Sequence, residues 1–290
     1  MLRLLKSFLY KISKDLTFRI TLIIGAGLAI LLTAIYVGLQ YGLLALSDVE
    51  EGEEIGIQFI SGHGMLLNSM SPAQNFGLAI PINLITFVCL EFSQGTIRNK
   101  IIAGHSKFKI YSSLFINGLI FTFLLLGTYI LVCTGLGTIF GGFNFDDYVY
   151  LLVGGMRVTP EFLIKMIIIC IVTYVSIVSF VVFVATAFRN VGPCIPLVMI
   201  PIMICYVATT IISAMTLIDG DLDLSGLINV TRIINPLYAI GSFEKTIDAE
   251  YNMVTKMEDM TFIFGIVNNL VYTSIFFVSG SILFRKRDVK

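Results

Sequence analysis

Five stretches of this chain contain no charged residue over bilayer-crossing lengths: Ile20 to Ser47, Ile55 to Leu90, Ile110 to Phe145, Asn190 to Ile218 and Met260 to Phe284. A sixth, Phe162 to Phe188, is broken only by Lys165 near its start. A helix needs about 20 apolar residues to cross the hydrocarbon core, so each stretch qualifies. Composition agrees. Hydrophobic residues make up 57% and charged residues 13%, whereas a soluble domain runs near 45–50% and about 25%. No water-soluble fold hides that much apolar surface. The expectation is an all-α polytopic membrane protein forming one domain over residues 1–290, with spans near 20–46, 73–90, 108–136, 162–188, 193–217 and 260–284.

The first span is too long for a signal-peptide core and no small-residue cleavage site follows it, so it is expected to persist in the mature protein. The five cysteines, Cys89, Cys133, Cys170, Cys194 and Cys205, all lie in apolar runs without disulfide or metal-ligand spacing. They read as small buried hydrophobes, and no metal site is expected.

Charge distribution predicts the orientation. If six spans place both termini on one side, that side receives fourteen of the 19 basic residues: Arg3, Lys6, Lys11, Lys14, Arg19, Arg98, Lys100, Lys107, Lys109, Arg189, Arg285, Lys286, Arg287 and Lys290. Most acidic residues fall in the opposite loops, after span one and before span six. The positive-inside rule then puts both termini in the cytoplasm of a cell-membrane protein. Residues 2–16 place Leu5, Phe8, Leu9, Ile12 and Leu16 on one helical face and Arg3, Lys6, Tyr10, Ser13 and Lys14 on the other. This is the pattern of an amphipathic interfacial helix in contact with membrane lipid.

Two small-residue pairs, Gly38-x-x-x-Gly42 and Gly137-x-x-x-Gly141, permit close helix approach. In span five, Pro196 and Pro201 remove internal hydrogen bonds and predict a bend. The segment 219–259 is too apolar for a solvated loop, and short re-entrant helices broken at Asn235-Pro236 are expected there, covered by protein. Its opening, Asp219-Gly-Asp-Leu-Asp223, has the spacing of a calcium-loop start, but position six is Leu224 and position twelve Val230, so the loop lacks its glycine and closing glutamate.

Catalytic chemistry is hard to find. No Gly-Lys pair occurs, hence no phosphate-cradling loop of the usual kind. His63, expected in the first outer loop, and His105, in a cytoplasmic loop, come without a nucleophile or carboxylate set. The span interiors offer neutral polar groups instead. Gln40 is one; Asn83, Asn117, Asn268 and Asn269 are candidates for a substrate path, against the plainer role of bonding helix to helix.

The most specific segment links spans two and three: Glu91-Phe-Ser-Gln-Gly-Thr-Ile-Arg-Asn-Lys-Ile-Ile-Ala-Gly-His-Ser-Lys-Phe-Lys-Ile-Tyr. Residues 96–103 predict a short helix with Ile97 and Ile101 stacked at i and i+4, Arg98 and Lys100 flanking them and Gly104 ending it. Ser106 should cap span three. Three isoleucines in such a loop call for a docking surface, either the protein's own bundle or a cytoplasmic partner.

This segment resembles the one that follows the second span in permease subunits of type-2 ABC exporters, where a carboxylate, Gly-Thr, a basic helix and a Gly-Ser or Gly-Arg turn recur. The ending Phe284-Arg-Lys-Arg-Asp-Val-Lys290 is also similar to that family's close. The resemblance implies a coupling helix at 96–103, with Glu91, Gly95, Thr96, Ile97, Arg98, Lys100 and Ile101 at the ATPase contact. It implies two permeases, this chain with a second copy or a homologue, and two cytoplasmic ATPase subunits, with ATP and Mg bound only in those partners. This chain would be no enzyme, would bind no nucleic acid, and would export a peptide, a drug-like molecule or another amphiphile. A non-transporting membrane sensor or scaffold that docks a cytoplasmic partner is the alternative.

Overall fold

The computed structural model describes residues 10, 14, 16–46, 60–72, 76–143, 148–151, 154–218, 225–241, 244–247 and 253–286. Helices dominate: α1 (Leu16–Leu46), α2 (Gly62–Met70), α3 (Phe76–Ser93), α4 (Thr96–Ile102), α5 (Lys107–Gly141), α6 (Pro160–Phe188), α7 (Val191–Ile218), α8 (Ser225–Ile234), α9 (Tyr238–Gly241) and α10 (Asp259–Lys286). Six of them, α1, α3, α5, α6, α7 and α10, are long and apolar enough to cross a membrane. The chain is a multi-pass membrane protein with an all-α membrane body.

α6 is the central helix. Its small residues, among them Thr173, Ser176, Ser179 and Ala185, are buried and let neighbours approach closely. The Ser179 hydroxyl donates to the Thr273 carbonyl of α10 at 2.9 Å, and Phe180 and Phe183 pack against Phe276. Gly280 of α10 leaves room for the buried Tyr111 of α5, whose hydroxyl occupies the place a Cβ would take.

The second span is α3, and ahead of it stands a helix that was not expected, α2, which ends at Met70. Pro72 has no N–H to continue α2, and Ser71 before it sits at φ −62°, ψ 123°, the extended region that a following proline imposes. α2 lies in the groove of the Gly137-x-x-x-Gly141 pair: a Cβ on Gly137 would sit 2.7 Å from Met65 Cγ, and one on Gly141 would overlap the Ile60 carbonyl. Ser61 caps α2 by accepting from Gly64 N at 3.1 Å, Gly62 N donates to Gly142 O at 2.8 Å, and Gln40 of α1 accepts from Ile60 N at 3.0 Å. His63 is therefore no loop residue. It is fully buried in α2, edge-on to Phe143 at 5.8 Å.

Four short strands add a sheet that hydropathy did not announce: β1 (Tyr148–Leu151), β2 (Gly154–Val158), β3 (Glu244–Ile247) and β4 (Met253–Lys256), ordered β1-β2-β4-β3. Two antiparallel hairpins join through a parallel β2–β4 pair, Arg157 opposite Val254 and Val158 opposite Thr255. The sheet ties the loop after α5 to the loop before α10.

The expected re-entrant segment is present as α8 and α9, broken at Asn235-Pro236; residues 219–224, the calcium-loop-like opening, lie outside the described residues. α9 packs inward, with Ala239 against Gly265 of α10, where a Cβ would approach to 2.6 Å. Of the 2–16 segment only Tyr10, Lys14 and Leu16 are described, the Lys14 ammonium lying 5.8 Å from the Tyr10 ring centre; the remainder of the expected interfacial helix lies outside the described residues. Pro196 and Pro201 sit inside α7. The cysteines are free, four buried and Cys205 half-buried.

Candidate functional site

The end of the bundle formed by the close of α3, α4, the start of α5 and the ends of α6 and α10 gathers Arg98, Lys100, Lys107, Lys109, Arg189, Arg285 and Lys286. At its centre α4 spans Thr96–Ile102, one residue shorter than expected. Gly95, at φ 68°, turns the chain out of α3 and begins it, and Gly104, at φ 83°, ends it. His105 N donates to Lys100 O at 3.2 Å and Gly104 N to Ile101 O at 2.9 Å, the paired bonds of a Schellman close. Ser106 then caps α5, accepting from Lys109 N at 3.4 Å. Both turns use glycine where a left-handed backbone is required.

The two faces of α4 differ sharply. Ile97, expected on the outward contact, is only 1% exposed and belongs to the bundle core; Ile101 is half-buried against the same core. That pair anchors the helix from beneath and cannot form the centre of an outer contact. Lys100 adds an ion pair, Nζ to Glu91 Oε2 at 2.9 Å, with the two side chains 16% and 3% exposed. Arg98, Asn99 and Ile102 face outward, Ile102 at 75% exposure. The i, i+4 pair that points away is thus Arg98 and Ile102, one helical position beyond the pair expected from the sequence. Thr96 is half-buried.

Neighbouring helices brace this end. Arg189 closes α6 in the left-handed region at φ 60°, its N–H donating to Ala185 O at 2.8 Å, and its guanidinium stands 5.6 Å from the centre of the Phe92 ring. Phe92 meets Phe284 of α10 edge-on at 6.3 Å. Lys107 Nζ donates to the Arg285 carbonyl at 3.1 Å, a cation at a helix C-terminus. Nothing in the sequence reading singled out Arg189 beyond its charge; its signal was the Phe-Arg-Asn break between two apolar runs.

The four candidate asparagines do not converge. Asn83 accepts weakly from Thr21 of α1 at 3.5 Å and donates to Ala79 O at 2.9 Å. Asn117 donates to Ser113 Oγ at 3.4 Å, and Asn268 is half-buried on α10. Asn269, fully buried, donates through Nδ2 to Pro236 O at 3.0 Å and Gly265 O at 2.9 Å. It is joined in holding the α8–α9 break by Tyr272, whose hydroxyl donates to Ile234 O at 2.7 Å. Asn235, which sequence reasoning marked only as a break, donates to Cys205 O at 2.7 Å and Thr209 Oγ1 at 2.8 Å and accepts from Leu237 N at 2.9 Å. Two helices, α7 and α10, thereby fix one turn of re-entrant backbone inside the membrane body. At the end opposite α4, Lys165 bonds Glu161 at 2.6 Å and Asp259 at 2.7 Å, and Arg232 bonds Glu258 at 2.8 Å.

Among the described residues no group of three or more His, Cys, Asp or Glu is placed to hold a metal ion. A family model described as "Protein of unknown function (DUF2705)" matches residues 45–290, and the chain belongs to that family. No curated protein and no solved structure gave a match.

Proposed function

We propose that this chain is the membrane-spanning permease subunit of an ATP-driven exporter, with α4 as its coupling helix. The observation that carries the reading is the two-sidedness of α4. One face is fixed to the bundle by Ile97 and the Lys100–Glu91 pair, and the other presents Ile102 beside Arg98. An exposed apolar residue within a cationic rim has the anatomy of a protein interface. A helix held this firmly transmits a push to α3 and α5 without absorbing it.

The orientation belongs to the same proposal: both termini and α4 face the cytoplasm of the plasma membrane, because the basic residues crowd the α4 end while Glu161, Glu258 and Asp259 lie at the other. Two ATPase subunits bind ATP and Mg, close on nucleotide and drive the permease between inward- and outward-open states through α4. This chain hydrolyses nothing itself. A second permease completes the path, and α1 leaves Gly38 and Gly42 exposed with open space around them. The cargo is a peptide, drug-like molecule or other amphiphile, in keeping with apolar spans that bury few charges.

The test is ATP turnover in the tagged chain purified from its native membrane in mild detergent. Turnover that accompanies the chain and is lost with Ile102→Asp supports the proposal. A monodisperse preparation with turnover no higher than an untagged control contradicts it.

A further inference from the structure

A cavity of about 240 Å³ lies between α6, α7, the α8–α9 break and α10. Most of its wall is apolar, from Ile177, Phe180, Ile202, Leu237 and Phe276. Two polar side chains in that wall are fully buried and hold an unmatched atom: Asn269 Oδ1 and Thr173 Oγ1 form no hydrogen bond. Asn269 cannot relieve this by turning its amide over, because Nδ2 is already committed to Pro236 O and Gly265 O. A buried amide oxygen without a partner carries a desolvation cost that an arriving donor would relieve. The rim includes Pro201 and Ile234, both exposed on the outer surface of the bundle.

These features select a ligand. Asn269 Oδ1 demands a hydrogen-bond donor, and Thr173 can donate or accept. Among the described residues no carboxylate, lysine or arginine lines the cavity, so an ion would enter unpaired. The volume exceeds the roughly 30 Å³ share of one water several-fold, and the walls reward an alkyl body. We infer that this cavity is a binding site for a neutral, hydroxyl-bearing alkyl molecule that enters from the bilayer, its hydroxyl donating to Asn269 Oδ1. The inference stands whether or not the chain is a permease, since it lies within one protomer and does not involve α4. A membrane lipid with a free hydroxyl and an exogenous long-chain alcohol share this chemistry.

The experiment is photolabelling of the full purified chain with a diazirine derivative of octanol, mapped by peptide mass spectrometry. Label is expected in 201–205, 234–237 and 269–276. Unlabelled 1-octanol should displace it, and n-octane should compete less well by about fivefold, the worth of one hydrogen bond. Ser176→Phe, which fills the cavity, should abolish the label in protein that remains monodisperse. Thr173→Val, a near-isosteric change, keeps the test open if Ser176→Phe does not fold, and should weaken octanol competition while leaving that of octane unchanged. Extraction and mass analysis of co-purified lipid separates the sources: a stoichiometric hydroxyl lipid lost in Ser176→Phe marks the endogenous ligand, and its absence beside specific labelling marks an exogenous one. Label spread evenly over exposed helix faces, or equal competition by octane and octanol, would overturn the inference.

Discussion

Gly141 and Gly42 show how far a single residue can be read. Both end a Gly-x-x-x-Gly pair, and by sequence the two pairs are equivalent. In the structure a Cβ at Gly141 collides with the backbone of Ile60, whereas one at Gly42 meets nothing within 4 Å. The spacing showed where helices can approach, but which pair is used depends on α2, whose start lay hidden inside a charge-free run. Gly141→Val should lower stability by about 1–3 kcal/mol, the usual range for overpacking, and Gly42→Val should leave it unchanged. Thermal unfolding of the two purified variants, followed by loss of the monodisperse peak, checks this. Asn235 makes a second case. Its place before Pro236 announced a break, yet its three hydrogen bonds go to residues far away along the chain or set by the turn itself. Asn235→Ala should cost about 2 kcal/mol, near 0.6 per bond with an added share for the stranded Leu237 N–H. An unshifted unfolding midpoint would mean that these bonds do not hold the re-entrant turn.

Elements were more legible than their faces. The short helix expected at 96–103, its close at Gly104 and the Ser106 cap follow from local rules, and all three appear, the helix over Thr96–Ile102. What local rules leave open is rotation about the helix axis. Ile97 and Ile101 made a proper apolar stripe, but a stripe can dock inward as readily as outward, and the bundle takes it. Ile97→Asp should therefore undo the membrane body itself, since a carboxylate in that core costs several kcal/mol. Ile102→Asp should leave folding and insertion unchanged and remove the partner. Size-exclusion profiles combined with partner co-purification separate the two. The Glu91–Lys100 pair offers a finer check. Lys100→Met should cost about 2–3 kcal/mol, below the figure for a fully buried pair because Lys100 keeps some solvent, and Glu91→Gln added to it should recover part of the loss.

At the scale of the whole molecule, six spans and their order could be read from charge-free length alone, because hydrocarbon admits little else. The sheet could not. Its strands are only four or five residues long, too short for a periodicity to mark them, and the pair that joins the two hairpins, β2 with β4, spans about a hundred positions of sequence. The short helix α2 was likewise hidden, by a charge-free run that continues through Ser71 and Pro72 into the second span. The proposed orientation rests on the charge count: in a cysteine-free background, an impermeant maleimide applied to intact cells should label a cysteine at Glu51 and miss one at Ser106. The reverse pattern would invert the protein in the membrane and take α4 away from any cytoplasmic motor.

The claim that α4 is a coupling helix is tested most directly by photocrosslinking from its outward face. A benzoylphenylalanine placed at Ile102 and irradiated in native membranes should join the chain to a cytoplasmic subunit carrying a nucleotide-binding motif, while the same group at Gly42 should not. Crosslinks from position 102 that reach only lipid, this chain itself or a protein without such a motif would contradict the account.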